Sequence, residues 1–425
     1  MKTPAIKKSE PLGEADVIII GGGPAGSSTA LHLERLCPEL SQRTLLLERA
    51  HHPREKICGG ALTLNAESIM DELGITFDIP SAPVHHVQLV FGAARLDLPE
   101  DGCAKRIVRR CELDSMLFRA VRERGIRTIQ DLRVARVVRY PSYLLVHTSQ
   151  GHYRAKVVVS ADGVNAVLRR TPGFNRGKLS RIFAIETPAD PAREPVFRNQ
   201  VLLVDLSYVR EGLEGYYWDF PCYIDGKPYV SRGIVAASKF GNNRYLHEVL
   251  ARRGVSLEGA LRKAWPIRHF NPRDRFSQPR MLLVGDALGS DPLFSEGISQ
   301  ALGGGKLAAE AIVDAFQRDD LSFSRYRQRV LQSRLGSELR AYELASRLLY
   351  GRHAEVLLSM LHQSEELRNL IGHSYAGTAN IHEHLPKLSG MLVRHLFHYT
   401  RNMSNFRTAA NRQDLADERV LVNSA

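Results

Sequence analysis

Apolar residues fall into three successive textures along the chain. Val17-Ile18-Ile19-Ile20 is apolar at every position, and the same style returns at Thr44-Leu45-Leu46-Leu47 and Val157-Val158-Val159. Unbroken runs rich in β-branched residues suit strands buried on both faces, so they predict a parallel sheet. Between them, Ser27–Leu36, Asn65–Leu73 and the stretch from Arg109 to Arg124 read as helices, the last with Gly125 as a stop. Val84 to Leu98 alternates and predicts two short strands, with further strands over Arg133–Tyr140 and Tyr143–His147. From about Leu179 to Phe270 the runs turn short and β-type, at Arg181–Glu186, Gln200–Leu206, Gly215–Phe220 and Tyr229–Ala236. They predict a separate antiparallel sheet. Met281-Leu282-Leu283-Val284 resumes the buried style, and beyond about Leu321 the pattern is mostly helical.

These textures predict an α/β fold, α+β overall, with a Rossmann-type nucleotide domain carrying an inserted antiparallel sheet. The expected division is a tail over 1–14 and a nucleotide domain from 15–83, 104–178 and 276–320. The inserted sheet takes 84–103 and 179–275, and a helical region takes 321–425.

The first strand runs into Gly21-x-Gly23-Pro24-Ala25-Gly26. Strand, G-x-G-x-x-G and helix in that order form the dinucleotide-binding turn. The first glycine makes the tight turn, the second admits a pyrophosphate to the backbone, and the third lets helix and strand pack closely. The helix N-terminus offers free N–H groups to the phosphates. Glu48 ends the second strand about 20 residues further on, where an acid accepts from a ribose hydroxyl. Two more strand ends carry acids: Asp162-Gly163, with Arg169 and Arg170 expected on a following helix, and Gly285-Asp286. Glu296-Gly297-Ile298 then opens a helix of small residues around Ser299, whose N-terminus suits an electron-rich ring edge. On Gly215–Phe220, alternation places Tyr216, Trp218 and Phe220 on one face and Tyr217 and Asp219 on the other. Three rings in a strip can wall an apolar cavity or pack into a core.

Composition narrows the classes. Of 425 residues, 44% are hydrophobic and 24% charged, an ordinary globular balance with no apolar stretch able to span a bilayer. The polar, lysine-bearing start (Met1–Gly13) does not resemble a secretory signal. Five cysteines lack paired spacing, which points to a reducing cytoplasm. A net charge of +12 comes from arginines spread along the chain without a nucleic-acid module. Nucleic acid is thereby set aside. An anionic substrate, an anionic membrane face, or a solubilising surface remain.

Taken in order, Gly21-x-Gly23-x-x-Gly26, Glu48, Asp162-Gly163 and Gly285-Asp286 resemble the glutathione-reductase-type flavoproteins, specifically the p-hydroxybenzoate hydroxylase superfamily. Within it, Lys56-x-Cys58-Gly59-Gly60, Arg110-x-x-Leu113-Asp114, Tyr216-x-Trp218-x-Phe220-Pro221 and the run from Asp286 through Pro292 to Glu296-Gly297 are similar to motifs of the geranylgeranyl reductases. The resemblance implies noncovalent FAD, held by the three turns together with Lys56, Gly59, Gly60, Arg110 and Glu296-Gly297-Ile298. It implies an isoprenoid pocket lined by Tyr216, Trp218, Phe220 and Pro221. It implies reduction of carbon–carbon double bonds in a prenyl chain or similar apolar substrate, by hydride from N5 of the reduced flavin. No second nucleotide fold is visible, so electrons would come from transiently bound NAD(P)H or a redox protein. Cys58 is then a thiol near the flavin, or an inert small side chain.

Leu288-Gly289 and Phe294-Ser295 depart from a common form of the family run, which reshapes the edge of the active site. A flavin monooxygenase or halogenase of the same superfamily is the enzyme alternative. An electron-transfer flavoprotein is the alternative of another class, although no iron–sulfur cysteine segment is present. In the C-terminal region, Leu339, Tyr342, Ser346 and Leu349, and then Leu357, Leu358 and Leu361, are expected to pack on the flavin domain. Leu392, Val393, Leu396 and Phe397, with Arg394, His395, His398 and Arg401, predict a basic amphipathic helix. Such a helix suits peripheral contact with an anionic membrane, closure of the pocket, or a protein interface.

Overall fold

The computed structural model describes residues 10–92, 94–98, 104–237, 244–256, 258, 260–351, 353–376, 381–384, 386–388, 390–391 and 394. The buried runs stack side by side. Strand Gly13–Ile20 pairs in parallel with Thr44–Leu47 on one side and His152–Ser160 on the other, placing Ile18 opposite both Leu45 and Val158. Arg127–Ile129 and Met281–Leu283 extend the parallel sheet outward, and Ser277–Gln278 closes one edge antiparallel. A meander of Val134–Arg139 and Leu144–Thr148 branches from His152–Ser160, giving eight strands. Val17, Ile18, Ile19, Leu46, Val158 and Val159 are fully buried, each stabilising the fold by roughly 1.5–3 kcal/mol. On one face, helix Pro24–Leu36 packs against helix Ile298–Gln317, and Ser28 Oγ donates to Leu302 O at 2.6 Å.

The second sheet has seven strands in the order Leu261–Arg268, Leu179–Pro188, Lys227–Ala237, Gly215–Ile224, Val201–Asp205, His86–Phe91, Ala94–Asp97. It is not wholly antiparallel, as expected from sequence: Val201–Asp205 runs parallel to His86–Phe91. The chain leaves after the hairpin over 86–97 and returns much later, so no turn forces the opposite direction. Ala61–Thr63, Ala104–Val108 and Ser81–Pro83 form a third, three-stranded sheet at the seam. Its Leu62 and Val108 join the nucleotide-side core, while Ala82 and Ile107 join the other.

Two local expectations change. No regular helix follows Asp162-Gly163; two short 3-10 turns, Gly163–Asn165 and Val167–Arg170, take its place. In the C-terminal region, Leu339 does pack on the nucleotide-side core, but Tyr342, Leu349, Leu358 and Leu361 are buried in the core of the seven-stranded sheet, with Leu357 against it. An apolar helix face must be buried against another element, and the sheet face carrying Tyr216, Trp218 and Phe220 supplies the partner. Apart from Arg394, the basic amphipathic helix expected over 392–401 lies outside the described residues. Among the described residues, no helix is long and apolar enough to cross a membrane.

Candidate functional site

A cleft lined by charged and glycine residues opens at the C-terminal ends of the central parallel strands. That is where a doubly wound sheet leaves backbone groups free. Gly21, Gly23, Pro24 and Ala25 line it from the first turn, Glu48 from the second strand, and Asp162 and Gly163 from the third. Asp286 and Gly297 close it from the far side, with Lys56 and Arg110 in the wall. Gly26 acts from behind. A Cβ there would sit 1.8 Å from Gly21 O, so a larger residue would push helix and turn apart.

The acids have different employments. Glu48 accepts from Gly22 N at 2.7 Å and Ala50 N at 3.0 Å, so it fixes the glycine turn as well as facing the cleft. A carboxylate has room for a further donor beyond those two. Asp162 accepts from Ser160 Oγ and from Val167 N at 2.7 Å. Burial raises its pKa against those hydrogen bonds. Asp286 Oδ2 stands 3.6 Å from Lys56 Nζ, and that ammonium lies 4.7 Å above the Trp265 ring. Burial pulls the lysine below its ordinary range despite Asp286.

Arg110 grips Asp114 with two hydrogen bonds, 2.8 and 3.0 Å. Burial opposes its charge, but fully buried Asp114 more than offsets that, and the guanidinium stays a fixed cation. Burial likewise works against the Asp114 carboxylate, yet Arg110 and then Arg54 hold it below the usual range.

Beside the cleft, sharing Gly297 with it, is an apolar cavity. Tyr216, Trp218 and Phe220 form one wall, with Val87, Leu89, Leu98, Leu202 and Val204 continuing it. Cys58, Gly59, Gly60, Phe294, Ser295, Glu296 and Ile298 make the end nearest the cleft. Several residues expected at the cofactor therefore line the cavity: Gly59, Gly60, Glu296 and Ile298. Pro221 lines neither space; it is one step past Phe220, and alternation turns it to the opposite sheet face. Gly285 also lies outside the cleft lining, its Cα facing the Ala25 methyl.

The turn from Asp291 to Glu296 is tied down. Fully buried Asp291 accepts from Leu293 N at 2.6 Å and Phe294 N at 3.0 Å. Burial pushes its carboxyl up to about 7 against those bonds. Tyr216 donates to Phe294 O from the sheet, and Tyr350 donates to Leu293 O at 2.6 Å from beside the C-terminal helices. Glu296 accepts from Ser299 N at 2.9 Å and Ser299 Oγ at 2.8 Å, while burial raises its pKa.

Two contributors lie beyond the motifs, and a third, Arg169, is placed by its motif but without a role. Arg54 bridges Asp114 (3.2 Å) and Glu48 (3.6 Å) over the glycine turn, joining acids remote in sequence. Trp265 lines the cleft from strand Leu261–Arg268, where Pro266 and three basic residues obscure the β pattern. A proline is tolerated there because the strand is an edge. Arg169 turns inward and donates to Ala287 O (2.9 Å), Leu288 O (2.7 Å), Asn175 O (2.6 Å) and Asp274 (2.9 Å), tying two acid-bearing turns together.

These residues fit a dinucleotide with a polar ring system. No side chain caps the first turn of helix Pro24–Leu36, and the Arg54 Nε–H and Trp265 Nε1–H in the lining are buried without a hydrogen bond. The FAD binding domain family matches residues 14–205. A menaquinone reductase from Mycolicibacterium smegmatis is 26% identical over 329 residues, 70% of this chain and 76% of its own. A 1H-pyrrole-2-carbonyl (peptidyl-carrier protein) chlorinase from Pseudomonas fluorescens is 25% identical over 362 residues, 73% and 78% of the two chains. A geranylgeranyl bacteriochlorophyll reductase-like protein from Thermoplasma acidophilum shares the fold, with a TM-score of 0.69 at 17% identity, covering 89% of this chain and 99% of that one. The family match over 14–205, with relatives that include both reductases and a chlorinase, supports an FAD-dependent flavoprotein.

Proposed function

We propose that this flavoprotein reduces carbon–carbon double bonds in a prenyl chain or a similarly elongated apolar substrate. The observation that carries this reading is the apolar cavity beside the cleft, meeting it at Gly297. Bound FAD, once reduced, supplies hydride to an alkene carbon. In the cleft, the backbone of Gly21–Ala25 would take the pyrophosphate, Glu48 the ribose, and Asp162 and Asp286 the remaining hydroxyls. Arg54, Lys56 and Arg110 would supply fixed positive charge near the ring system. In the cavity, Tyr216, Trp218 and Phe220 hold the chain flat and exclude water. Electrons reach the protein from NAD(P)H or a redox protein. Peripheral contact with an anionic membrane would give a prenyl substrate its way in.

A second reading is an oxygen-dependent halogenase or monooxygenase, supported by the chlorinase relative. One experiment separates the two. Chemically reduced protein is mixed anaerobically with geranylgeranyl diphosphate. Reoxidation of the flavin with a product heavier by two hydrogens is expected. A product that forms only with oxygen, gaining an oxygen or a halide, sinks the reductase reading.

A further inference from the structure

Among the described residues lining the apolar cavity, Glu296 contributes the one carboxyl group. Its neighbour Gly297 lines both spaces, so this acid stands where cavity and cleft meet. Other lining groups carry exchangeable protons but are poorly placed to give one up. Tyr216 already donates to Phe294 O, and burial lifts its hydroxyl far above its ordinary range. Cys58 is the exception, since its sulfur only accepts from Gly60 N–H at 3.4 Å and its thiol is the rival donor that Glu296→Gln tests against. A serine hydroxyl and an indole N–H are too weakly acidic at neutral pH.

Glu296 is pulled two ways. Burial in an apolar wall favours the neutral acid, while Ser299 N–H (2.9 Å), Ser299 Oγ–H (2.8 Å) and the N-terminus of helix Ile298–Gln317 support the anion left when a proton departs. An acid balanced in this way can give a proton and recover it. Its presentation is fixed. Ser295 holds a left-handed conformation (φ 57°) immediately before it, and Asp291 N–H reaches Glu296 O at 3.4 Å across the turn.

We propose, resting on the reductase reading above, that the Glu296 carboxyl is the proton source for reactions in this cavity. The substrate π bond breaks and two C–H bonds form. Hydride from reduced FAD brings both electrons to one carbon, the Glu296 proton goes to the other, and the carboxylate left behind is reprotonated from solvent. The bland account of the same contacts is a helix cap, which would leave the reaction untouched.

The test uses reduced holoenzyme mixed anaerobically with geranylgeranyl diphosphate. Glu296→Gln should slow flavin reoxidation by about 100-fold or more, while FAD content and reoxidation by oxygen stay at wild-type values. Glu296→Asp should recover part of the rate. Infrared difference spectra between wild type and Glu296→Gln, with geranylgeraniol bound at pH 7, should show a protonated carboxyl. A wild-type rate in Glu296→Gln, or an ionised carboxylate in that spectrum, overturns the proposal and leaves the reductase reading standing. Wild-type protein that the prenyl probe does not reoxidise overturns the reductase reading and this role together. If Glu296→Gln fails to fold, Glu296→Asp carries the test: a slowed rate at full FAD content supports the role, and an unchanged rate overturns it.

Discussion

The cleft and the apolar cavity share Gly297 yet are built on opposite principles. The cleft is a backbone construction. Turns at the ends of parallel strands set its shape, and the charges around it are held by counter-charges, as Arg110 and Arg54 are by Asp114. The cavity is a side-chain construction. Its wall comes from strands over 86–97, 179–188, 201–205, 215–224 and 227–237, and only their alternation turns Val87, Ile182, Val204, Trp218 and Val235 to one space. A backbone site tolerates almost no change at its turns. A side-chain site redistributes small changes and can alter its ligand without losing its fold.

The largest effect should follow Gly26→Ala. The added methyl would lie 1.8 Å from Gly21 O, inside any contact distance. Flavin binding should be lost and stability should fall by about 3 kcal/mol, the upper end of overpacking costs. Absorbance of the purified protein and a urea melt check both. A yellow protein with a wild-type melt would mean that the turn yields where this geometry says it cannot.

Next comes Glu48→Ala. It removes a carboxylate that holds Gly22 N and Ala50 N and faces the cleft, and hydrogen bonds to charged groups are each worth roughly 1.5–3 kcal/mol. FAD affinity should fall about 10- to 100-fold by titration, while binding of an apolar dye in the neighbouring cavity holds steady. Equal losses at both sites would erase the distinction between them.

That contrast also explains what the sequence could reveal. Gly21, Gly23 and Gly26 are legible because a backbone turn constrains residue type at fixed spacing. The Tyr216, Trp218, Phe220 strip is legible because a strand has a period of two. What escaped has no local period. Arg54 matters through acids at 48 and 114, and the role of Arg169 runs through carbonyls at 287 and 288. Trp265 is masked by a proline that only an edge strand would admit. The parallel pairing of Val201–Asp205 with His86–Phe91 is a choice of topology, which neither strand's pattern encodes.

A third prediction concerns the seam. His269 joins the edge strand of the mixed sheet to the turn after Asp286, through a bridge to Ser290, and its ring meets Ser180 Oγ at 2.6 Å. Burial, with Lys178 adding to it, pushes the imidazole down to about 4. The unfolded chain protonates near 6.5, so between about 6.5 and 4 it binds a proton that the fold refuses. Stability should therefore fall as pH drops through that window, with His269 contributing about 2 kcal/mol after allowance for partial exposure. Above the window it contributes nothing. Unfolding free energies from urea melts at pH 7 and 4.5 should converge by that amount in His269→Gln. An unchanged difference would move the acid sensitivity elsewhere.

The smallest effect is the most discriminating, because sequence and geometry disagree about Gly59. The motif places it at the cofactor. In the fold it lines the apolar cavity and is absent from the cleft lining. A Cβ at this position would meet the Phe220 ring at 2.7 Å, and that ring forms part of the cavity wall. Gly59→Ala should thus weaken geranylgeraniol binding about 10-fold, or about 1.4 kcal/mol, and leave FAD affinity within about 2-fold of wild type. The chain supplies its own reporters: of its two tryptophans, Trp218 lines the cavity and Trp265 the cleft. In a Trp265→Phe background, emission from Trp218 should follow the apolar ligand alone. Weakened FAD with unchanged geranylgeraniol would return Gly59 to the cofactor side, and the boundary between the two spaces would shift to the Phe220 ring.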